Sequence, residues 1–389
     1  MKTQIGIIGA GPAGLLLARI LSLSGIESVI LEKRTSEHVA SRIRAGILEP
    51  NSVKLLKNSM ISKRLEKEGL NHKGFHISFE NHMNYINLFN LTNCGEVTVY
   101  GQTEITKDLM NDLDSLNTTV YYDVSKLKIV DLESRNPKIA FVSNEFAQTV
   151  ECDFIAGCDG YHGISKEYLP EGIKKVYDKN YGYGWLGILS NTKPISEELI
   201  YIKNKEGFAL CSMRSKKRSR YYIQCDVNEK IENWSDDRFW SALVPRLPKE
   251  LGNKLETGKS IEKSIALLRG FVVEPMRYKN LFLAGDSAHI VPPTGAKGLN
   301  LAFSDVNFLS KAFIDFYTNN SSLLLDKYSN DCLKRVWKTQ RFSSWMTNIL
   351  HKNVNQDKYF DQIQNAEISY LLSSSNAQMV LAENYLGYY

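Results

Sequence analysis

Apolar positions follow two rhythms along this chain, and each marks out a different part of it. Gln4–Ile8 is a short, mostly apolar run, the pattern of a strand buried on both faces. It passes through Gly9-x-Gly11-x-x-Gly14 into helical spacing over Leu15–Ser24. A second such run, Ser28–Leu31, ends at Glu32. Lys54–Gly69 has the spacing of one exposed amphipathic helix, with His72 in the turn after it. Ile77–Tyr100 alternates in strand fashion, and Gly101-Gln102-Thr103 opens a helix reaching Leu116. Short strands with polar turns fill Thr119–Val142. Phe154–Gly157 then runs into Cys158-Asp159-Gly160, a strand-into-Gly/Asp pattern that returns near the end of the chain.

From Tyr181 to Cys225 the rhythm changes. GYGWLGIL, ELIYIKN, FALCSMRS and SRYYIQC are aromatic, alternating and separated by turns, which predicts antiparallel sheet. Period two puts Ser212 and Arg214 on one face of a strand, and Arg220 and Tyr222 on one face of the next. Trp234–Leu255 predicts a helix and Ser264–Met276 a strand. In Leu281–Asn300, LFLAGDSAHIVPPTGAKGLN, a strand ends in Gly285-Asp286 and Pro292-Pro293 makes a stiff turn. Gly298-Leu299-Asn300 then opens a helix. The remainder reads as mostly helical, with Trp337, Trp345 and Met346 on apolar faces. These patterns predict a mixed α/β (α+β) fold: a Rossmann-like nucleotide-binding domain, an inserted antiparallel-sheet domain and a helical C-terminal region. The division expected is 1–72, 98–180 and 269–348 for the first, 73–97 and 181–268 for the second, and 349–389 for the last.

With 389 residues, 43% hydrophobic and 23% charged, the chain has the composition of a globular enzyme able to enclose a cofactor. Its net charge of +5 is scattered apart from Lys216-Lys217-Arg218, which favours small anionic ligands and gives no case for nucleic acid. The six cysteines include no CxxC and no histidines at zinc spacing, so they read as reduced thiols of a cytoplasmic protein, with no metal site. The apolar start superficially resembles a secretory signal, but Gly9-Ala-Gly-Pro12 interrupts it and Arg19 stands where it should continue. No stretch reaches the roughly 18 apolar residues of a membrane helix.

The chemistry concentrates at a few places. Strand, Gly9-x-Gly11-x-x-Gly14, helix, second strand and Glu32 together make a dinucleotide fingerprint: a tight turn, close backbone approach to a pyrophosphate, close helix packing and a carboxylate for the ribose. Glu32 would repel a 2′-phosphate, so the nucleotide held here is expected to be FAD or NAD. In the Leu281–Asn300 stretch an Asp at a strand end can accept hydrogen bonds from hydroxyls, and a helix N-terminus offers free N–H groups. Both suit a flavin's polyol chain and ring. Arg42 and Arg44, two residues apart beside Gly46, suit phosphate oxygens, although two solvated arginines would look the same. An Arg with Ser and Tyr beside it on a hairpin matches a carboxylate, although surface arginines on a half-exposed sheet are the plainer alternative. Only one nucleotide fingerprint is present.

Three motifs, the fingerprint with Glu32, Cys158-Asp159-Gly160 and Gly285-Asp286, together resemble the class A single-component flavoprotein aromatic hydroxylases. YGQTE, DFIAGCDGYHGIS, YGWLG, FALCSMRS, SRYY, FVVEPM and LFLAGDSAHIVPPTGAKGLNLA extend that resemblance over essentially the whole chain. It implies a glutathione-reductase-type FAD domain. It also implies hydroxylation of 4-hydroxybenzoate to 3,4-dihydroxybenzoate with NAD(P)H and O2, in the catabolism of aromatic compounds, by a cytoplasmic homodimer. FAD is then expected on Gly9, Gly11, Gly14, Glu32, Arg42, Arg44, Gln102, Asp159, Asp286, Gly295, Leu299 and Asn300. The substrate carboxylate is expected on Ser212, Arg214 and Tyr222. Its phenol is expected on Tyr201, which relays to Tyr385 and outward through His72. Pro293 and Thr294 would shape the pocket, and Arg220 and Lys297 would supply positive charge near flavin and substrate. NADPH, with NADH possible, would use Lys33, Arg34, His38, Arg44, His162 and Arg269. His38 stands where the family commonly has Tyr, while Lys33, Arg34 and Arg42 still favour a 2′-phosphate. Phe303 and Gly270 depart from the family pattern. The rivals are a hydroxylase of another aromatic acid and a non-catalytic protein of the same fold.

Overall fold

The computed structural model describes residues 1–42, 46–116, 118–352 and 357–388. Its nucleotide-binding half is built on a six-stranded sheet. In spatial order the strands are Arg277–Tyr278, Leu281–Leu283, Phe154–Gly157, Ile5–Ile8, Ser28–Leu31 and Thr119–Tyr121. All neighbours are parallel except the first pair. The short apolar runs are explained by this setting: Ile5–Ile8 is buried along its whole length because helices and a second, three-stranded meander cover both faces. Parallel pairing also sets where the strands stop. Ile8 lies beside Leu31 and Gly157, and Gly157 beside Leu283, so Gly9, Glu32, Asp159 and Gly285-Asp286 all leave the sheet at one edge. Motifs up to about 275 residues apart thereby converge at the C-terminal ends of parallel strands, where open α/β sheets bind ligands.

The second sheet has eight strands. Lys175–Ser190 lies between Ser260–Glu274, which His289–Ile290 flanks at the sheet's edge, and Arg218–Asp226; beyond the latter come Ala209–Ser215, Ile200–Lys203, Gly74–Phe79 and His82–Asn87. Alternation sorts its residues without exception at the positions that matter. Leu186, Ile188, Ile200, Ile202, Cys211, Tyr221 and Ile223 pack beneath Phe239, Trp240 and Leu243 of the helix Asp236–Leu243. Phe75, Ile77, Trp185, Leu199, Tyr201 and Leu210 face the other way, against Phe342, Met346 and Leu350 of the long helix Leu323–Leu350 and against Leu381 and Tyr385 near the end of the chain.

Some elements differ from expectation. The helix expected over Lys54–Gly69 is two, Pro50–Asn58 and Lys63–Glu68, because Met60 takes a left-handed conformation (φ 61°) that no α-helix continues through. His72 is not in a turn: it ends the strand Leu70–His72, paired with Val97, and is buried. Trp234–Leu255 holds only the α-helices Asp236–Leu243 and Lys249–Gly252, since Pro245 and Pro248 cannot donate within a helix. Trp337 is 39% exposed rather than on an apolar face; it stacks edge-on to Tyr177, and its indole N–H donates to Glu274 (2.7 Å). Gly270 has a simple reason: a Cβ there would stand 3.2 Å from Oε1 of Gln340, whose amide donates to the carbonyls of Phe271 and Ile290. Five cysteines are buried free thiols, while Cys94 is exposed. No helix among the described residues is long and apolar enough to cross a membrane.

Candidate functional site

At the sheet's C-terminal edge the three fingerprint glycines do three different things. Gly9 sits at φ 104°, and a Cβ there would meet the Cys158 carbonyl oxygen at 2.4 Å. A Cβ on Gly14 would meet the Gly9 carbonyl at 2.0 Å, so helix and loop touch backbone to backbone. Gly11, which caps the helix Pro12–Leu23 with no side-chain partner, faces open space. Two glycines are therefore required by packing, and the third leaves the helix N–H groups accessible to an anion. The Glu32 carboxylate is fixed in place, accepting from the N–H of Ala10 (2.7 Å) and of Arg34 (2.9 Å).

The other motifs complete the rim. Gly101, at the head of the helix starting with Gln102, and Gly160 (φ 72°) also face open space, as does Gly298. Asp159 is half engaged: Oδ2 accepts from the N–H and hydroxyl of Ser165 (both 2.9 Å), while Oδ1 is buried with no partner. Burial holds this carboxyl above the usual range, against the two bonds from Ser165. Asp286 is exposed at its strand end. Open glycines, an orphaned buried acceptor and an exposed carboxylate, with Gly11, Asp159, Gly160 and Asp286 at one sheet edge, are the donor and acceptor set that a dinucleotide with a polyol chain needs, so these residues fit FAD. Arg42 follows the helix Ser36–Ser41 in extended backbone, and its carbonyl accepts from the Thr103 hydroxyl (2.9 Å). Arg44 lies outside the described residues.

The loop from Pro292 to Asn300 is held by its own side chains. Pro293 is exposed and Thr294 fully buried. A Cβ on Gly295 would come within 3.1–3.2 Å of Phe342 and Ser343. Ala296 is left-handed (φ 55°), a conformation costly without glycine, and Asn300 helps fix it by donating to its carbonyl (3.0 Å). Asn300 also donates to Ile47 and accepts from the N–H of Glu49 and the hydroxyl of Ser52, so every polar atom of its side chain is used inside the protein. Leu299 is half-buried beside it.

The free cation expected at Lys297 is absent, because its ammonium is 1% exposed and donates to Glu49 (2.6 Å) and to the Tyr385 carbonyl (2.7 Å). Burial pulls its pKa down, and Glu49 opposes the fall. Glu49 also takes Arg335 (2.8 Å), so one carboxylate joins the cofactor-side loop, the long helix and the C-terminal helix. Arg220 is likewise taken, paired with Glu262 and donating to Ser264 (2.8 Å). Arg269 pairs with Asp178 and lies over the Tyr161 ring (4.4 Å).

Arg214 differs. Among the described residues it makes no ion pair. Burial, and then the like charge of Arg220, hold its pKa below the ordinary guanidinium value, with Tyr222 and, more weakly, the charge of Glu262 opposing. The sheet register puts Ser212 opposite Arg220 and Leu210 opposite Tyr222, so the hairpin expected from alternation is present. Gly187 lies opposite Tyr222, and a Cβ there would collide with that ring at 2.6 Å. In the same row across the sheet stands Tyr201, opposite Leu210. Its hydroxyl meets that of Tyr385 at 3.0 Å, both rings being buried around Phe75. Burial first, and then Tyr385, pushes Tyr201 well above the ordinary phenol value; burial likewise raises Tyr385 to about 12. His72 is buried nearby in sequence to these strands, its Nδ1 without a partner, and burial lowers its pKa. No direct hydrogen bond among the described residues joins it to Tyr385, so that step of the expected relay needs a bridging water.

Of the residues expected for the coenzyme, Lys33, Arg34, His38 and His162 are exposed, and the Lys33 ammonium reaches the His162 carbonyl at 3.4 Å. Sequence reading missed Glu49, Asp178, Glu262 and Arg335, the partners that decide which cations are free. Each lies tens to hundreds of residues from its partner, on an element whose own pattern is ordinary.

Comparison with known proteins agrees with this geometry. Residues 2–343 match the family described as FAD binding domain. A p-hydroxybenzoate hydroxylase of Acinetobacter baylyi is 52% identical over 387 residues, spanning 100% of this chain and 96% of that protein. A kynurenine 3-monooxygenase of Dictyostelium discoideum is 24% identical over 362 residues, 87% of this chain and 75% of its own. Among solved structures, p-nitrophenol 4-monooxygenase of Pseudomonas putida superposes with a TM-score of 0.85 at 16% identity, covering 99% of this chain and 98% of that one; at that identity the likeness speaks for the fold.

Proposed function

Because this chain belongs to the FAD-dependent aromatic hydroxylases and is an FAD-dependent monooxygenase, we propose that its substrate is 4-hydroxybenzoate, converted to 3,4-dihydroxybenzoate with NADPH and O2. One observation carries the choice of acid: Lys297, Arg220 and Arg269 are each paired with a carboxylate, whereas Arg214 makes no ion pair among the described residues and bonds the Tyr222 hydroxyl on the sheet face that also bears the buried Tyr201. A planar guanidinium flanked by the hydroxyls of Ser212 and Tyr222 grips a carboxylate in two places. A phenol para to that carboxylate reaches Tyr201.

FAD, when bound, supplies the hydride acceptance and the oxygen activation that place one oxygen atom on the ring. The chain's own residues do the rest. Arg214 fixes the acid and orients the ring. Tyr201 and Tyr385 stay protonated at neutral pH, since burial raises both, so they pass a proton by exchanging hydrogen-bond direction. As Tyr201 takes the substrate's phenolic proton it gives its own to Tyr385, which releases one outward through a water and His72, and the phenolate left behind makes the ring a far better nucleophile at the carbon ortho to its oxygen. Thr294 and Pro293 form the wall opposite the sheet and exclude water. The N-terminus of the helix Gly298–Asn319, with no acidic residue in its first turn, favours negative charge on the group beside it. NADPH binds across the exposed Lys33, Arg34, His38 and His162, with Arg269 recruited from Asp178.

The division of the chain into cofactor domain, inserted sheet domain and C-terminal helical segment belongs to the same reading, as does a homodimer. Tyr359, Phe360, Ile363 and Tyr370, all at least 52% exposed on the helix Lys358–Ser373, are the face offered to a second copy. NADPH and NADH oxidation by the purified holoenzyme, with and without 4-hydroxybenzoate, tests the function when product is separated alongside. Strong stimulation with 3,4-dihydroxybenzoate formed is expected. Stimulation yielding only peroxide would assign the acid as an effector and the reaction to another aromatic acid.

A further inference from the structure

The last turn of the helix Leu323–Leu350 reaches both walls of the proposed pocket. Thr347 spends its hydroxyl proton on the Ser343 carbonyl (2.7 Å), so at 2.8 Å from Thr294 it can only accept, and Thr294 must donate. One turn later, His351 holds the sheet. Its Nδ1 is 2.9 Å from the Thr347 carbonyl and therefore carries the hydrogen, leaving Nε2 to accept from the indole N–H of Trp185 at 2.6 Å. The imidazole is 1% exposed and stacks on Phe208 (4.2 Å between centroids) and Tyr183 (5.1 Å). Gln364 donates to its carbonyl (2.7 Å), and Gln224, opposite Trp185 in the sheet, accepts from the N–H of Lys352 (3.0 Å). Burial depresses the His351 pKa to about 3, so this neutral tautomer persists at any working pH.

Trp185 connects this turn to the site. It lies 5.1 Å from the Tyr222 ring and stacks on Phe208 at 5.1 Å, and Phe208 in turn packs 6.4 Å from Tyr201. Both groups proposed to hold the acid's two ends thus rest on one aromatic layer, and the indole N–H of that layer's tryptophan donates to His351.

We propose that His351 is a positioning residue for substrate recognition: by accepting from Trp185 while Thr347 holds Thr294, it fixes the distance between sheet wall and loop wall and so restricts the pocket to a single flat aromatic acid. The inference rests on the substrate reading above. A rotated indole would let Tyr222 and Phe208 relax, so both the affinity and the selectivity for ring shape would fall, while the cofactor's cleft, formed at the other sheet's edge, would not change.

The test uses holoenzyme with His351→Phe, which keeps the stacked ring but removes the acceptor, and His351→Gln, which restores an acceptor. Binding of 4-hydroxybenzoate is read from the perturbation of the flavin spectrum, FAD affinity separately, and the Trp185 indole N–H from its nitrogen–proton resonance. Expected are a tenfold or greater rise in Kd for 4-hydroxybenzoate in His351→Phe with FAD affinity within twofold, a narrowed preference over a 3-methyl-substituted analogue, an upfield-shifted indole N–H, and substantial recovery of all three in His351→Gln. Should His351→Phe fail to take up FAD, Trp185→Phe deletes the donor from the other side and must show the same loss. Unchanged affinity and selectivity in a variant whose indole resonance has moved overturns the inference alone. A wild-type holoenzyme that does not bind 4-hydroxybenzoate overturns the substrate reading and this inference with it.

Discussion

Replacing Arg214 by Ala separates the carboxylate reading from every other account of this pocket. The guanidinium is desolvated, has no acid partner among the described residues, and is supported mainly by the Tyr222 hydroxyl. A substrate carboxylate is therefore its natural counter-ion, and truncation would leave that carboxylate unpaired in a partly buried site. Losses of this kind run to about 2–5 kcal/mol. At about 1.4 kcal/mol per decade the Kd for 4-hydroxybenzoate should rise roughly 30- to 4,000-fold. The sign for the empty pocket is opposite. A base whose folded pKa is depressed destabilises the fold at every pH below that value, so removing it should leave the substrate-free protein as stable as before or more so. The assay is titration of the flavin spectrum with 4-hydroxybenzoate and with 4-hydroxybenzyl alcohol, which keeps the phenol and lacks the charge. A Kd for the acid within threefold of wild type would refute the assignment. So would an equal loss for the neutral alcohol, since that would mean a collapsed pocket rather than a missing counter-ion.

Other consequences can be checked as directly. Tyr201→Phe should bind FAD and the acid with little change yet lose most product formation; undiminished hydroxylation removes Tyr201 from the proton path. Glu49→Gln takes the carboxylate from both Lys297 and Arg335, whereas Lys297→Met leaves Glu49 paired with Arg335, so urea unfolding should show the larger loss, about 3–5 kcal/mol, for Glu49→Gln. Equal or reversed costs contradict the shared-carboxylate arrangement. Lys203, bonded to Gln364, has its pKa lowered by burial to about 8. Between the unfolded value and that one the unfolded chain binds the extra proton, so stability should be lost as pH falls from about 10.4 to about 8 and be flat below. Lys203→Met should remove that slope, and a slope that survives assigns it elsewhere.

The dinucleotide fingerprint was readable because its constraints are local. Gly9 and Gly14 answer to contacts across one strand or within a few residues, Gly11 leaves the helix N-terminus open, and Glu32 sits one strand later. The alternation of Ser212 with Arg214 and of Arg220 with Tyr222 was readable because a strand's period is fixed by its backbone. Helix ends were less so: Met60, Pro245 and Pro248 split helices that apolar spacing alone would continue. His72 was misplaced in a turn because the pairing of Leu70–His72 with Val97 is set by an element 25 residues away.

What the sequence determined by itself, then, was that a dinucleotide is bound and which side chains share a strand face, because motif spacing and side-chain type are properties of the chain; the class of chemistry and the groups expected to perform it came with the family resemblance. Only the tertiary structure decided which of those groups is free to act. Lys297, Arg220, Arg269 and Arg214 are four similar cations in the sequence. Folding supplies Glu49, Glu262 and Asp178 to three of them and leaves Arg214 with no ion pair among the described residues. Charge pairing depends on distances of a few ångströms between residues that may be hundreds apart, and the chain's local pattern carries no record of those distances.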